Sequence, residues 1–70
     1  MNEFAKCIAK DATSKLIVRV FSSIGVVTEI YNGVSAVMKD DVSYYIVKKG
    51  EPTKDYPIAN FSVDVQRGGE

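Results

Sequence analysis

The side chains that could do chemistry form a short list in this chain. There is no histidine, which removes the commonest general base and every Ser-His or Cys-His nucleophile pairing. One cysteine, Cys7, stands alone, so it can form no disulfide within the chain and no tetrahedral nitrogen–sulfur metal cage. Asp40 and Asp41 are adjacent carboxylates, but acidic residues are standard turn formers and no third carboxylate is close in sequence. Gly25, Gly33 and Gly50 are isolated, each with a turn to explain it, and make no phosphate-binding loop. These absences lead to the expectation of a protein that is not an enzyme and carries neither metal nor cofactor.

One cluster remains with binding chemistry. Lys39, Lys48, Lys49 and Lys54 lie close in sequence to Tyr44, Tyr45 and Tyr56. Aromatic rings on strands with lysines at the rims are how small barrels hold single-stranded nucleic acid. Lysines at strand ends also protect sheet edges, and Asp40, Asp41, Glu51 and Asp55 are interleaved with them. Nine basic and nine acidic residues cancel, so the long-range positive field that drives nonspecific nucleic-acid or lipid binding is missing. Nucleic-acid binding is therefore disfavoured but kept as an alternative.

Elements to position these residues must be small. Seventy residues make one domain, and such a chain buries only about 60% of the surface its unfolded form exposes. With disulfide and zinc removed, oligomerisation is the expected source of extra stability. The apolar runs are far shorter than the ~20 residues of a membrane span, and no signal peptide is read at the start. A cytoplasmic protein is the natural expectation from one free thiol.

The spacing of Phe4, Ala5, Cys7, Ile8, Ala9 and Ala12 predicts an N-terminal helix over residues 1–14, capped by Asn2. A strand is the alternative, but "FAKCIAK" does not alternate cleanly. From Lys15 the chain is rich in β-branched residues, and five antiparallel strands are expected over residues 15–66, with 67–70 as a frayed tail. The loop Ser23-Ile24-Gly25 places glycine at the left-handed position of a bulged hairpin and sets Arg19 opposite Glu29. Asn32-Gly33 predicts a type I′ hairpin that pairs Tyr31 with Val34 and Val27 with Met38. Asp40-Asp41 make the next reversal, and Gly50–Tyr56 is read as a polar loop. The segment "YPIANFSVDV" resembles the short turn and last strand that close small SH3-like barrels, without naming a family. The expected fold class is α+β or mostly β: a helix followed by a five-stranded antiparallel meander, curled or barrel-like.

Alternation through these registers divides the meander into two apolar faces. One carries Leu16, Val18, Val20, Ile30, Val37, Tyr44 and Ile46; the other carries Ile17, Phe21, Val27, Tyr31, Val34, Met38, Tyr45 and Val47. Leaving seven or eight such side chains in water is untenable at about 1.5–3 kcal/mol each. The sheet must close into a barrel, or a helix must cover one face and a second polypeptide the other. The expected oligomer interface is Ile17, Phe21, Val27, Tyr31, Val34, Met38 and Tyr45. The expected partner-binding residues are Tyr44, Tyr45, Lys48, Lys49, Lys54 and Tyr56, with the Gly50–Tyr56 loop. The function that follows is a small binding protein that self-associates and acts as an adaptor or stoichiometric inhibitor of a protein target. A nucleic-acid-binding barrel and an oligomer that sequesters a small anionic ligand are the alternatives.

Overall fold

The computed structural model describes residues 5–68, and these are all β and turn, with no helix among them. Seven strands occur: β1 (Lys6–Lys10), β2 (Leu16–Ser22), β3 (Val27–Val34), β4 (Ala36–Lys39), β5 (Ser43–Val47), β6 (Lys54–Pro57) and β7 (Phe61–Arg67). They form two antiparallel sheets, one in the order β1-β4-β5-β6 and the other in the order β3-β2-β7. The α+β expectation is thereby corrected, as is the single five-stranded meander, although the mostly-β alternative holds.

A bulge explains the mistaken helix. Cys7 pairs with Met38 and Ala9 with the adjacent Val37, so Ile8 is an extra residue in β1. An inserted residue breaks the period of two and leaves apolar side chains at helix-like spacing. Phe4 and Asn2, which the helix also invoked, lie outside the described residues.

The meander fails at Asn32-Gly33. Gly33 does take positive φ (67°), as a type I′ turn would require. Here that conformation serves a second bulge: Val18 pairs with Tyr31 and Leu16 with Val34, so β3 carries one residue more than β2 between these rungs. The chain then passes at Ser35 from the three-stranded sheet into the four-stranded one. Ser35 secures that crossing, because its N–H and Oγ both donate to the Val47 carbonyl and its own carbonyl accepts from the Asp11 N–H. Tyr31 therefore does not pair with Val34, nor Val27 with Met38.

The Ser23-Ile24-Gly25 loop forms as read, with Gly25 at φ 84° and the Ser22 N–H donating to the Val26 carbonyl. A further bulge at Thr28 shifts the register beyond it, so Val20 faces Glu29 and Arg19 faces Ile30. The expected Arg19–Glu29 pair is lost. Arg19 instead pairs with Asp64 on β7, where Nε lies 3.1 Å from Oδ2. Gly50–Tyr56 is only partly a loop, since Lys54–Pro57 pairs with β5 as an edge strand that tolerates its proline.

The two sheets share one core. Leu16, Val18, Val20 and Val34 come from the three-stranded sheet, Val37 and Ile46 from the other, and all are buried. Ala9, Tyr31, Tyr56, Phe61, Val63 and Val65 pack around them. The shortest dimension, 18 Å, suits two layers about 10 Å apart with their outer side chains.

Candidate binding surfaces

With one face of each sheet turned to the core, each keeps an outer face. On the three-stranded sheet the outer rows are Ile17–Gln66, Arg19–Asp64 with Ile30, and Phe21–Ser62 with Val27. Polarity runs across this face from side to side. The β7 edge presents Ser62, Asp64 and Gln66, while the β2 and β3 side presents Ile17, Phe21, Val27 and Ile30. The Arg19 guanidinium sits 5.7 Å from the centre of the Phe21 ring and closes the apolar half on its polar side.

The apolar half continues into the β2–β3 hairpin. Ile24 is 83% exposed, Val26 55%, Ile30 53% and Val27 43%. From Val20 to Thr28 no residue carries charge, with Arg19 and Glu29 as brackets. Four of the six large exposed apolar side chains among the described residues lie on this one element.

The expected oligomer interface is dispersed by the fold. Ile17, Phe21 and Val27 do lie together on the outer face of the three-stranded sheet. Val34 is in the core with no exposed surface, and Tyr31 points inward, its hydroxyl hydrogen-bonded to that of Tyr56. Met38 and Tyr45 stand opposite one another on the outer face of the other sheet. The bulge at Thr28 turns Tyr31 and Val34 to the face opposite Val27, and the passage at Ser35 carries Met38 and Tyr45 into the other sheet.

The expected partner-binding residues are also divided. Tyr44 and Tyr45 point to opposite faces of β5. Tyr44 belongs to an inward row with Lys6, Lys39 and Tyr56 that crosses all four strands. Lys39 Nζ lies 5.5 Å from the centre of the Tyr44 ring. Tyr56 stands edge-on to Tyr31 and to Phe61, at centroid distances of 6.2 and 5.2 Å. Burial, helped by the Tyr31 hydroxyl, raises its phenol well above the ordinary value. Lys54 is exposed and pairs with Ile46. Lys48 is 3.6 Å from Glu51, and Lys49 donates to the Ala12 carbonyl at 3.4 Å.

Tyr45 donates instead to Asp40 Oδ2 at 2.6 Å. Asp40 is buried, and its Oδ1 accepts the N–H groups of Val42 and Ser43 at 2.8 and 2.7 Å. These bonds, that of Tyr45 foremost, hold the carboxyl below the usual aspartate value, and the same contact raises the Tyr45 phenol. Asp40 is thus a turn clamp while Asp41 is exposed. Asp11 is a second clamp, accepting from Thr13 Oγ1 at 2.7 Å, from Thr13 N–H at 3.0 Å and from Lys15 N–H at 3.2 Å. Its carboxyl is lowered chiefly by Thr13. Cys7 is exposed on the outer face beside Met38, not buried on a helix.

Sequence reasoning missed Ile24, Val26 and Ile30 as surface residues, although the nine-residue uncharged run was visible. It also missed Lys6 and Ile8, which β1 brings beside Lys39. Among the described residues no helix is long and apolar enough to cross a membrane, and no group of three or more His, Cys, Asp or Glu could hold a metal ion. No protein-family model, curated protein or solved structure matches the chain.

Proposed function

We propose that this protein acts by binding another protein, as an adaptor or stoichiometric inhibitor, and that the β2–β3 hairpin with the adjoining apolar half of its sheet makes the contact. The observation that carries the reading is the exposure of Ile24, Val26, Val27 and Ile30 on one uncharged element. Contact surfaces are poor in charge at their centre and polar at their rim, and the Arg19–Asp64 pair provides such a rim. A tight hairpin also suits insertion, because its backbone is already ordered and binding loses little conformational freedom. The nucleic-acid alternative is weakened, because Lys48 and Lys49 are engaged within the chain and Tyr45 faces away from Tyr44.

Solution mass across a range of concentrations, measured by light scattering, tests whether the same surface first takes a second copy of this chain. Ile24→Ser with Val26→Ser is the discriminating variant. A target or second copy bound at fixed stoichiometry by the parent and lost from the variant supports the reading. Undiminished binding by the variant overturns it.

A further inference from the structure

At the β1–β4 end of the four-stranded sheet, Lys6 stands directly opposite Lys39 on the same face. Like charges opposed across a strand pair repel. Among the described residues neither ammonium reaches a carboxylate, whereas Arg19, Lys48 and Arg67 each have one. Lys39 leans over the Tyr44 ring instead. The two lysines border an open cleft of ≈ 500 Å³, lined also by Ile8, Asp40 and Asp41. That volume falls within the range of small-molecule sites.

From this juxtaposition we propose that the cleft binds the phosphate monoester of a small hydroxylated molecule, a sugar phosphate or a mononucleotide. Each lining residue has a part in that assignment. A phosphate monoester carries nearly two negative charges at neutral pH and can accept from both ammonium groups at once, which turns their repulsion into attraction. Asp40 offers the ligand little, because both its oxygens are already engaged by Val42, Ser43 and Tyr45. Asp41 is exposed and accepts no hydrogen bond from the described residues, so it can take a hydroxyl donor of the sugar. Its charge opposes any anion in the cleft, so a ligand that also offers it a hydroxyl is favoured over a bare anion of the same charge. Ile8, pushed out by the β1 bulge and 48% exposed, gives an apolar wall for a sugar or base ring. The site is separate from the hairpin surface, so the two readings stand or fall independently.

Ribose 5-phosphate is the first probe, with ribose as the control, followed by backbone amide shifts in a heteronuclear NMR titration. Saturable shifts at Lys6, Ile8, Lys39 and Asp41 with ribose 5-phosphate, and none with ribose, are expected. Lys6→Gln and Lys39→Gln should each weaken binding about tenfold. Lys6→Gln should leave the melting temperature unchanged or higher, because it removes a repulsion. Adenosine 5′-monophosphate then separates the two sources: tighter binding than ribose 5-phosphate assigns a nucleotide, and equal or weaker binding assigns a sugar phosphate. Absence of saturable shifts, shifts that survive both substitutions, or a lower melting temperature for Lys6→Gln would overturn the proposal.

Discussion

Strands β2 and β3 pair along their length, yet they lie in opposite environments. In β2 every second residue, Leu16, Val18 and Val20, is buried, and the residues between are half-buried. In β3 only Val34 is buried and only Tyr31 is intermediate. Both strands are rich in β-branched and aromatic residues, so propensity does not separate them. Position does. β2 is the central strand, with β7 on its other side, while β3 is an edge bent by bulges at Thr28 and at Asn32-Gly33. Bulges twist an edge away from ready strand pairing, which leaves side chains as the means of contact there. The pair thus divides its work, one strand holding the core and the other facing solvent.

The sharpest way to break this contrast is truncation on each strand. Leu16→Ala should cost about 2–5 kcal/mol in urea unfolding, near the whole stability of a small domain. Ile30→Ala, on the neighbouring strand, should cost less than about 1 kcal/mol. Equal losses would mean that β3 is buried in solution.

The two strands also end differently. Gly33 holds φ 67° near the end of β3, and a Cβ there would meet nothing closer than the Ser14 carbonyl at 3.8 Å. Gly33→Ala should therefore lose about 1–2 kcal/mol through backbone strain alone. Ser14, just before β2, holds φ 58° without being glycine, and its buried hydroxyl has no partner. Ser14→Gly should raise the urea midpoint, by about 0.5–1 kcal/mol of stability. An unchanged midpoint would show that the serine conformation is relaxed in solution.

Acid should act on the turns and not on the strands. Asp11 and Asp40 both have lowered pKa values when folded, so their stabilisation is complete above the ordinary aspartate value of 3.8 and lost as pH falls through the folded values. Urea midpoints should hold from neutrality to about pH 5 and then decline, and Asp40→Asn should flatten that decline. The smallest expected effect on stability is at the hairpin tip. Ile24→Ser should change unfolding free energy by less than about 0.5 kcal/mol, leaving any loss of binding attributable to the contact itself.

Much of the β content was legible where alternation is unbroken. β2, β5 and β7 follow directly from "LIVRVF", "VSYYIV" and "FSVDVQ", and the glycine of Ser23-Ile24-Gly25 marks its loop. What failed was register. A bulge adds one residue without any residue type that announces it, so Ile8 imitates a helical spacing and Thr28 moves Arg19 from Glu29 to Ile30. Gly33 illustrates the limit, because a type I′ turn and this bulge ask for the same positive φ. β6 was hidden by composition, since Lys54-Asp55-Tyr56-Pro57 reads as loop and is a strand only because β5 offers its edge. The surface followed the same pattern. Its residues were visible as an uncharged run, but the faces on which they fall depended on registers that the bulges had shifted.

The strand order has a consequence for how this chain can be divided. The chain passes between the sheets three times, from β1 to β2, at Ser35 from β3 to β4, and from β6 to β7. No single cut therefore separates one sheet from the other, and a cut inside the β2–β3 hairpin divides both. The hairpin cannot be excised as a working peptide in the way a loop from a modular scaffold can. A version cut between Ile24 and Gly25 leaves neither piece with a whole sheet, so each piece alone should be unfolded and structure should return on mixing the two.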